Sequence, residues 1–141
     1  MSIPAVLAPL FVEVLLTFAL MLGMMYFRTS SLQRGETKFE QIAMREPNWP
    51  TRANQFAFAF GNQFELPVLF YVLTILSIIT RHADIVFIIM AWLFVVFRLL
   101  QAGVHVTSNY VPWRGGFYGI GALVLLAMWL IFIVRILAGL P

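Results

Sequence analysis

The sequence predicts an all-α membrane protein built as a bundle of four transmembrane helices. Three observations indicate this class. First, 62% of the 141 residues are hydrophobic. Second, only 11% are charged, whereas soluble domains carry about 25% charged residues. Third, four apolar segments each have the roughly 20 residues that an α-helix needs to cross a hydrocarbon core. These segments cover residues 6–27, 56–79, 85–106 and 117–137.

The four segments and their connections predict one domain over residues 1–141. The first segment has no basic residues before it and is longer than the apolar part of a signal peptide, which indicates a retained helix. The sizeable polar stretch is residues 28–55, too short for a separate soluble domain. The second and third segments are joined by a short turn, and residues 107–116 join the third to the fourth.

The basic residues predict the orientation in the membrane. Loops rich in Lys and Arg stay in the cytoplasm, so the loops at 28–55 and 107–116 are expected there and both termini in the periplasm or lumen. The count is six basic residues on one side and two on the other: Arg28, Arg34, Lys38, Arg45, Arg52 and Arg114 against Arg81 and Arg135.

Several kinds of chemistry are not expected. The nine basic residues form no stripe with interleaved exposed aromatics, so nucleic acid is not an expected partner. The chain has no cysteine, which excludes disulfides and a thiol nucleophile of its own. His82 and His105 lie far apart with no third ligand motif, so no metal site is expected.

Polar residues within the second and third segments are the main candidates for a site. From the rise of 1.5 Å per residue, Asn62 lies about 9 Å and Glu65 about 14 Å below the cytoplasmic end of the second helix. By the same count Arg98 lies about 12 Å deep, Gln101 about 8 Å deep and His105 at the surface. Buried charges in a membrane must pair or face a wet cavity. We therefore expect an ion pair between Glu65 and Arg98, with Asn62 level with Gln101.

Two interpretations of these residues stay open. They could fix the register of the helices without touching a ligand. Alternatively, they could form a polar pocket that opens to the cytoplasm and adds Arg28, Asn109, Tyr110 and Arg114. Three arginines around one cleft would suit an anionic ligand or a thiolate. Glu13 in the first helix could be a proton site or the partner of a neighbouring helix.

One set of motifs resembles a known family. Asn62-x-x-Glu65 is followed by Pro67 in the second helix, and Arg98 in the third is followed sixteen residues later by Arg114. This pattern resembles the MAPEG superfamily, the membrane-associated proteins in eicosanoid and glutathione metabolism, and in particular a bacterial-type member similar to microsomal glutathione transferases. The resemblance implies a homotrimer in the bacterial inner membrane that binds glutathione between neighbouring subunits, from the cytoplasmic side.

The resemblance also implies roles for individual residues. By position, Arg114 would stabilise the thiolate of glutathione, the co-substrate, which attacks a lipophilic electrophile or reduces a hydroperoxide. The glutathione-binding positions would be Arg28, Asn62, Glu65, Arg98, Gln101 and His105. The chain departs from the family pattern where His105 replaces a tyrosine, Gln101 replaces an aromatic residue, and Pro67 comes one residue early.

Two other functions are weighed beside a glutathione-dependent enzyme. One is a non-catalytic membrane protein of the same fold that binds an anionic or amphiphilic small molecule, a lipid or a partner protein. The other, less favoured, is a transporter or channel subunit. The sequence shows no discontinuous helix, and its buried charges, apart from Glu13, cluster toward one side of the membrane.

Overall fold

Four helical segments in the structure can cross a membrane. The computed structural model describes residues 2–141, within which the chain forms helices and no strand. The segments long and apolar enough to span are Ile3–Gln33, Thr51–Ile79, Ile85–Val106 and Val111–Leu137. This confirms the predicted all-α class with four membrane-spanning helices.

Three of the spans are single helices. Helix α1 covers Ile3–Gln33, α5 covers Ile85–Val106 and α6 covers Val111–Leu137. A short helix, α2, covers Phe39–Ile42 in the first loop. Helices α1 and α6 are longer than the apolar runs predicted for them, because hydropathy detects the stretch suited to hydrocarbon whereas helical hydrogen bonding continues into the polar residues beyond it. The first loop is correspondingly shorter than residues 28–55.

The second span is broken near its middle, contrary to the continuous helix that the sequence predicted. Helix α3 covers Thr51–Asn62 and α4 covers Leu66–Ile79. Pro67 explains the break, since a proline has no N–H and its ring clashes with the carbonyl four residues earlier. Tight turns fill the gap, with Phe64 N donating to Gly61 O at 3.1 Å and Glu65 N to Asn62 O at 3.3 Å. The absence of a discontinuous helix therefore no longer counts against a transporter.

The helices pack around a core in the middle of the bundle. Helix α5 is central, with α6 on one side and α1 on the other. The rings of Phe70 and Phe94 lie 4.9 Å apart at its centre. A smaller cluster of Leu20, Ala59 and Ala102 joins α1, α3 and α5 closer to the first loop. The small alanines let α3 and α5 approach closely beside the polar residues. The main core comprises Val6, Phe70, Leu73, Phe87, Ala91, Phe94, Val95, Leu125 and Met128.

The opposite end of the bundle is held by polar contacts around the turn between α4 and α5. Arg135 Nη1 forms an ion pair with Asp84 Oδ2 at 3.0 Å. Asp84 Oδ1 also accepts a hydrogen bond from Phe87 N at 3.0 Å and so caps α5. His82 Nε2 lies 2.9 Å from the Leu140 carbonyl. These contacts join α6 to the start of α5, away from the candidate site.

Candidate functional site

A polar cleft lies where α3 ends and α6 begins. It has a volume of about 570 Å³ and is open to the outside, within the range of about 300–1,000 Å³ typical of small-molecule sites. Its polar walls come from the broken second span, from α5 and from α6. The polar lining residues are Asn62, Glu65, Gln101, His105, Arg114 and Tyr118. The structure thus brings five of the sequence-predicted site residues into one cavity.

The break in the second span shapes one wall of the cleft. Asn62 ends α3 and is half-buried, while Glu65 lies just before α4 and is exposed. The Asn62 amide Nδ2 lies 3.5 Å from His105 Nδ1, at the outer limit of a hydrogen bond. Asn62 and Gln101, which were expected at the same depth, both line the cleft. His105 lies one helical turn further along α5 than Gln101.

Arg98 lies behind the cleft and does not line it. Its side chain is fully buried, and Nη2 donates a hydrogen bond of 3.0 Å to the main-chain carbonyl of Asn62. Its guanidinium carbon lies 5.5 Å from the centre of the Tyr118 ring, within the range of a cation–π contact. Arg98 therefore contacts both the last residue of α3 and Tyr118 on the α6 wall of the cleft.

The predicted ion pair between Glu65 and Arg98 is wrong. Within residues 2–141 the ion pair is Arg135 with Asp84, at the opposite end of the bundle. The prediction assumed a continuous second helix with both charges at one depth. The break instead leaves Glu65 exposed in the cleft, and Arg98 shares the main-chain carbonyl of Asn62 with the N–H of Glu65.

Gln101 and His105 form the α5 wall. Both side chains are buried, and both line the cleft. In the part of the chain that the structure describes, Gln101 Oε1 has no hydrogen-bond partner. Since a buried carbonyl oxygen is stabilised by a donor, Gln101 can accept a hydrogen bond from a ligand in the cleft.

Arg114 supplies the positive charge that lines the cleft. It lies in the first turn of α6, and its Nη1 donates a hydrogen bond of 2.6 Å to Asn109 Oδ1. Asn109 has a positive φ of 52°, a conformation that asparagine tolerates better than most residues. The turn between α5 and α6 thus holds the guanidinium at the mouth of the cleft.

The three predicted arginines do not meet around one cleft of a single chain. Arg114 lines the cleft and Arg98 lies behind it. Arg28 is absent from the lining and instead stacks over Trp49, 4.9 Å from the ring centre. The prediction treated arginines near the same membrane surface as neighbours, whereas their helices occupy different sides of the bundle.

Tyr118 is a cleft residue that the sequence analysis missed. It lies four residues after Arg114 on α6, so the two side chains share one helix face. It lines the cleft and also contacts Arg98 through its ring. Its spacing from Arg114 is a signal that could have found it, but aromatic residues are so frequent in this chain that position alone does not single it out.

Comparison with known proteins gives one match. The family model described as MAPEG family matches residues 6–134, a range that contains every polar residue of the cleft. No match was found among the curated proteins or among the solved structures.

Proposed function

The chain belongs to the MAPEG family, and on this premise we propose that it is a membrane-embedded glutathione-dependent transferase or peroxidase. The family comprises membrane proteins of glutathione and eicosanoid metabolism. The proposed reaction takes place in the polar cleft. The thiolate of glutathione attacks a lipophilic electrophile, or two glutathione molecules reduce a hydroperoxide to an alcohol and water while forming a disulfide.

The observation that carries this proposal is the position of Arg114. Its guanidinium lines the cleft and is held by Asn109. A nearby cation favours the charged form of a thiol and so increases the fraction of reactive thiolate at neutral pH. The chain has no cysteine, so the thiol that Arg114 would activate belongs to the substrate. We assign Arg114 the catalytic role.

The other cleft residues match the remaining groups of glutathione. The peptide has two carboxylates, one ammonium group and two amides. Glu65 is exposed in the cleft and can accept hydrogen bonds from the ammonium group. Asn62, next to Glu65 on the wall made by the second span, offers an amide, and Gln101 and His105 on the α5 wall offer an amide and an imidazole. Arg98 contributes indirectly, by holding the end of α3.

A groove below the cleft supports a lipophilic second substrate. It has a volume of about 370 Å³ and an almost wholly apolar lining, contributed by α4 and α6. Leu66 directly follows Glu65, and Ala122 is one helical turn beyond Tyr118, so the groove begins where the cleft ends. An electrophile dissolved in the membrane could place its apolar part there with its reactive carbon at the cleft.

A homotrimer would explain the role assigned to Arg28. In one chain Arg28 stacks on Trp49 away from the cleft, while glutathione carries two carboxylates and the cleft is lined by one arginine. We propose that Arg28 of a neighbouring subunit supplies a second cation at the cleft. Native mass spectrometry tests the assembly, with three copies of the 16.1 kDa chain expected.

Isothermal titration of glutathione into the purified protein tests the function. The wild-type protein is expected to bind saturably and Arg114→Ala to bind at least tenfold more weakly, with Glu65→Gln also weakened. Arg81→Ala is the control, because Arg81 lies in the turn at the opposite end. No binding to a folded wild-type protein would refute the proposal. Native mass spectrometry for a bound lipid would then test the alternative, a non-catalytic protein that binds an amphiphile.

A further inference from the structure

Glu13 is an acidic residue buried inside the bundle on α1. Its side chain has an exposed fraction of 0%, and neither carboxylate oxygen has a hydrogen-bond partner in residues 2–141. Its main-chain carbonyl accepts a hydrogen bond of 3.0 Å from Thr17 Oγ1, one turn further along α1. A carboxylate inside the membrane is costly and is retained where it faces a partner or a wet cavity. Glu13 lines none of the cavities described above.

Arg98 is a buried basic residue with unpartnered hydrogen-bond donors. It is also 0% exposed, and while Nη2 is bound to the Asn62 carbonyl, Nε and Nη1 have no partner in the described chain. Glu13 thus has two unpartnered acceptor oxygens on α1 and Arg98 has two unpartnered donor nitrogens on α5, although no direct ion pair joins the two side chains in residues 2–141. The two helices pack directly against each other.

Burial also separates Glu13 from Glu65 as a partner for Arg98. Glu65 is exposed in the cleft, whereas the side chains of Glu13 and Arg98 are both fully buried. Attraction between buried charges is little screened by water and salt.

We propose that Glu13 is the counter-ion of Arg98 and a positioning residue for the cleft. The negative charge of Glu13 keeps the guanidinium charged and oriented inside the bundle, with Nη2 on the Asn62 carbonyl at the end of α3. The Asn62 wall of the cleft therefore depends on a charge in α1. The effect on ligand binding rests on the proposed function, whereas the coupling between Glu13 and Arg98 does not.

A double-mutant cycle on thermal stability tests the coupling without any ligand. Removing either charge leaves the other buried without compensation. Glu13→Gln and Arg98→Met are each expected to lower the Tm, and the double variant is expected to lose less than the sum of the two shifts. A Tm shift of the double variant equal to the sum of the two single shifts would overturn the proposal.

A matched cycle uses Glu65 in place of Glu13. Glu65→Gln combined with Arg98→Met is expected to give additive Tm shifts, because Glu65 is exposed and its charge is screened by water and salt. Coupling in the Glu65 cycle without coupling in the Glu13 cycle would identify Glu65 as the counter-ion and overturn the proposal.

Glu13→Asp separates the effect of charge from the effect of side-chain shape. It remains informative if Glu13→Gln does not fold. It keeps the carboxylate and shortens the side chain, whereas Glu13→Gln keeps the shape and removes the charge. Glu13→Asp is expected to retain the higher Tm of the two. If Glu13→Asp is no more stable than Glu13→Gln, or does not fold when Glu13→Gln does, charge is not what this position requires.

Two further readouts test the positioning role. In Glu13→Gln, the main-chain amides at the break, residues 63–65, are expected to exchange hydrogen faster than in the wild type, with no change in the middle of α6. Unchanged exchange at the break would contradict this role. Glutathione affinity is expected to fall about tenfold in Glu13→Gln and to recover partly in Glu13→Asp. If the wild type does not bind glutathione, the proposed function fails while the stability cycle and the exchange data still decide the role of Glu13.

Discussion

The guanidinium of Arg98 donates a hydrogen bond of 3.0 Å to the main-chain carbonyl of Asn62, the last residue of α3. The last carbonyls of a helix lack partners within the helix and carry partial negative charge, so a cation is favoured there. This contact joins the buried interior of the bundle to the wall of the cleft. It exists because the second span is interrupted between Asn62 and Leu66.

The break in the second span can be tested by Pro67→Ala. An alanine at this position can donate a helical hydrogen bond and favours a continuous helix, which would compete with Arg98 for the carbonyls at the end of α3. We expect an unchanged or higher Tm together with weaker glutathione binding, both measured on the purified protein. Pro4→Ala is the control, because Pro4 lies in the first turn of α1, where a proline breaks no hydrogen bond. Glutathione binding equal to wild type in Pro67→Ala would show that the break does not shape the site.

Arg114→Ala is expected to slow glutathione conjugation by raising the pH at which the thiolate forms. A neighbouring cation lowers the pKa of an acidic group by about 1–3. Without Arg114, the pKa of the bound thiol should therefore rise, and the thiolate fraction at neutral pH should fall about 10- to 1,000-fold. The ultraviolet absorbance of bound thiolate, followed against pH, measures this shift directly. Arg114→Lys should retain part of the activity, since it keeps the charge without the planar guanidinium. A pH profile of Arg114→Ala identical to that of the wild type would remove Arg114 from the catalytic role.

Asp84 has two separable functions at the opposite end of the bundle. Asp84→Asn keeps an oxygen that can cap α5 but removes the ion pair with Arg135, and because Asp84 is 43% exposed the cost should be only about 0.2–1 kcal/mol. Asp84→Ala also removes the cap, at a further cost of about 1 kcal/mol.

Chemical denaturation of the two Asp84 variants measures the difference. Arg135→Ala is a useful comparison, because it removes the same ion pair and leaves the cap in place. Equal losses for Asp84→Asn and Asp84→Ala would show that the cap contributes little.

Gly23 is expected to be sensitive to a single added methyl group. A Cβ there would overlap the ring of Phe56 on α3, and overpacking of this kind costs about 1–3 kcal/mol. Gly121→Ala is the matched control on α6, because its Cβ would meet its nearest neighbour, the Phe97 side chain, at an ordinary 3.8 Å.

Thermal denaturation should therefore show a lower Tm for Gly23→Ala and an unchanged or higher Tm for Gly121→Ala, since alanine favours helices. Adding Phe56→Leu to Gly23→Ala should recover part of the loss. A Gly23→Ala variant as stable as Gly121→Ala would mean that the Phe56 ring moves aside freely.

Composition and residue spacing were sufficient to identify the class, the family and most residues of the cleft. Apolar length and low charge are sufficient to indicate four spans, because hydrocarbon accepts little else at that length. The spacing of Asn62, Glu65, Arg98 and Arg114 indicated the family that the family model confirms. Asn62, Glu65, Gln101, His105 and Arg114 were identified as site residues because polar groups in apolar segments are conspicuous, and the structure places them around one cavity.

The pairing of these residues follows from the packing of the helices and could not be read from residue positions along the chain. Counting depth along a continuous helix paired Glu65 with Arg98, whereas in the structure Arg98 donates to the main-chain carbonyl of Asn62 and the Asn62 side chain approaches His105. Glu13 was visible in the sequence, but its matched burial with Arg98 was not, because the angle at which α1 meets α5 follows from packing along both helices. Residue type and depth are local properties of a chain, and which buried charges face each other is a property of the assembled bundle.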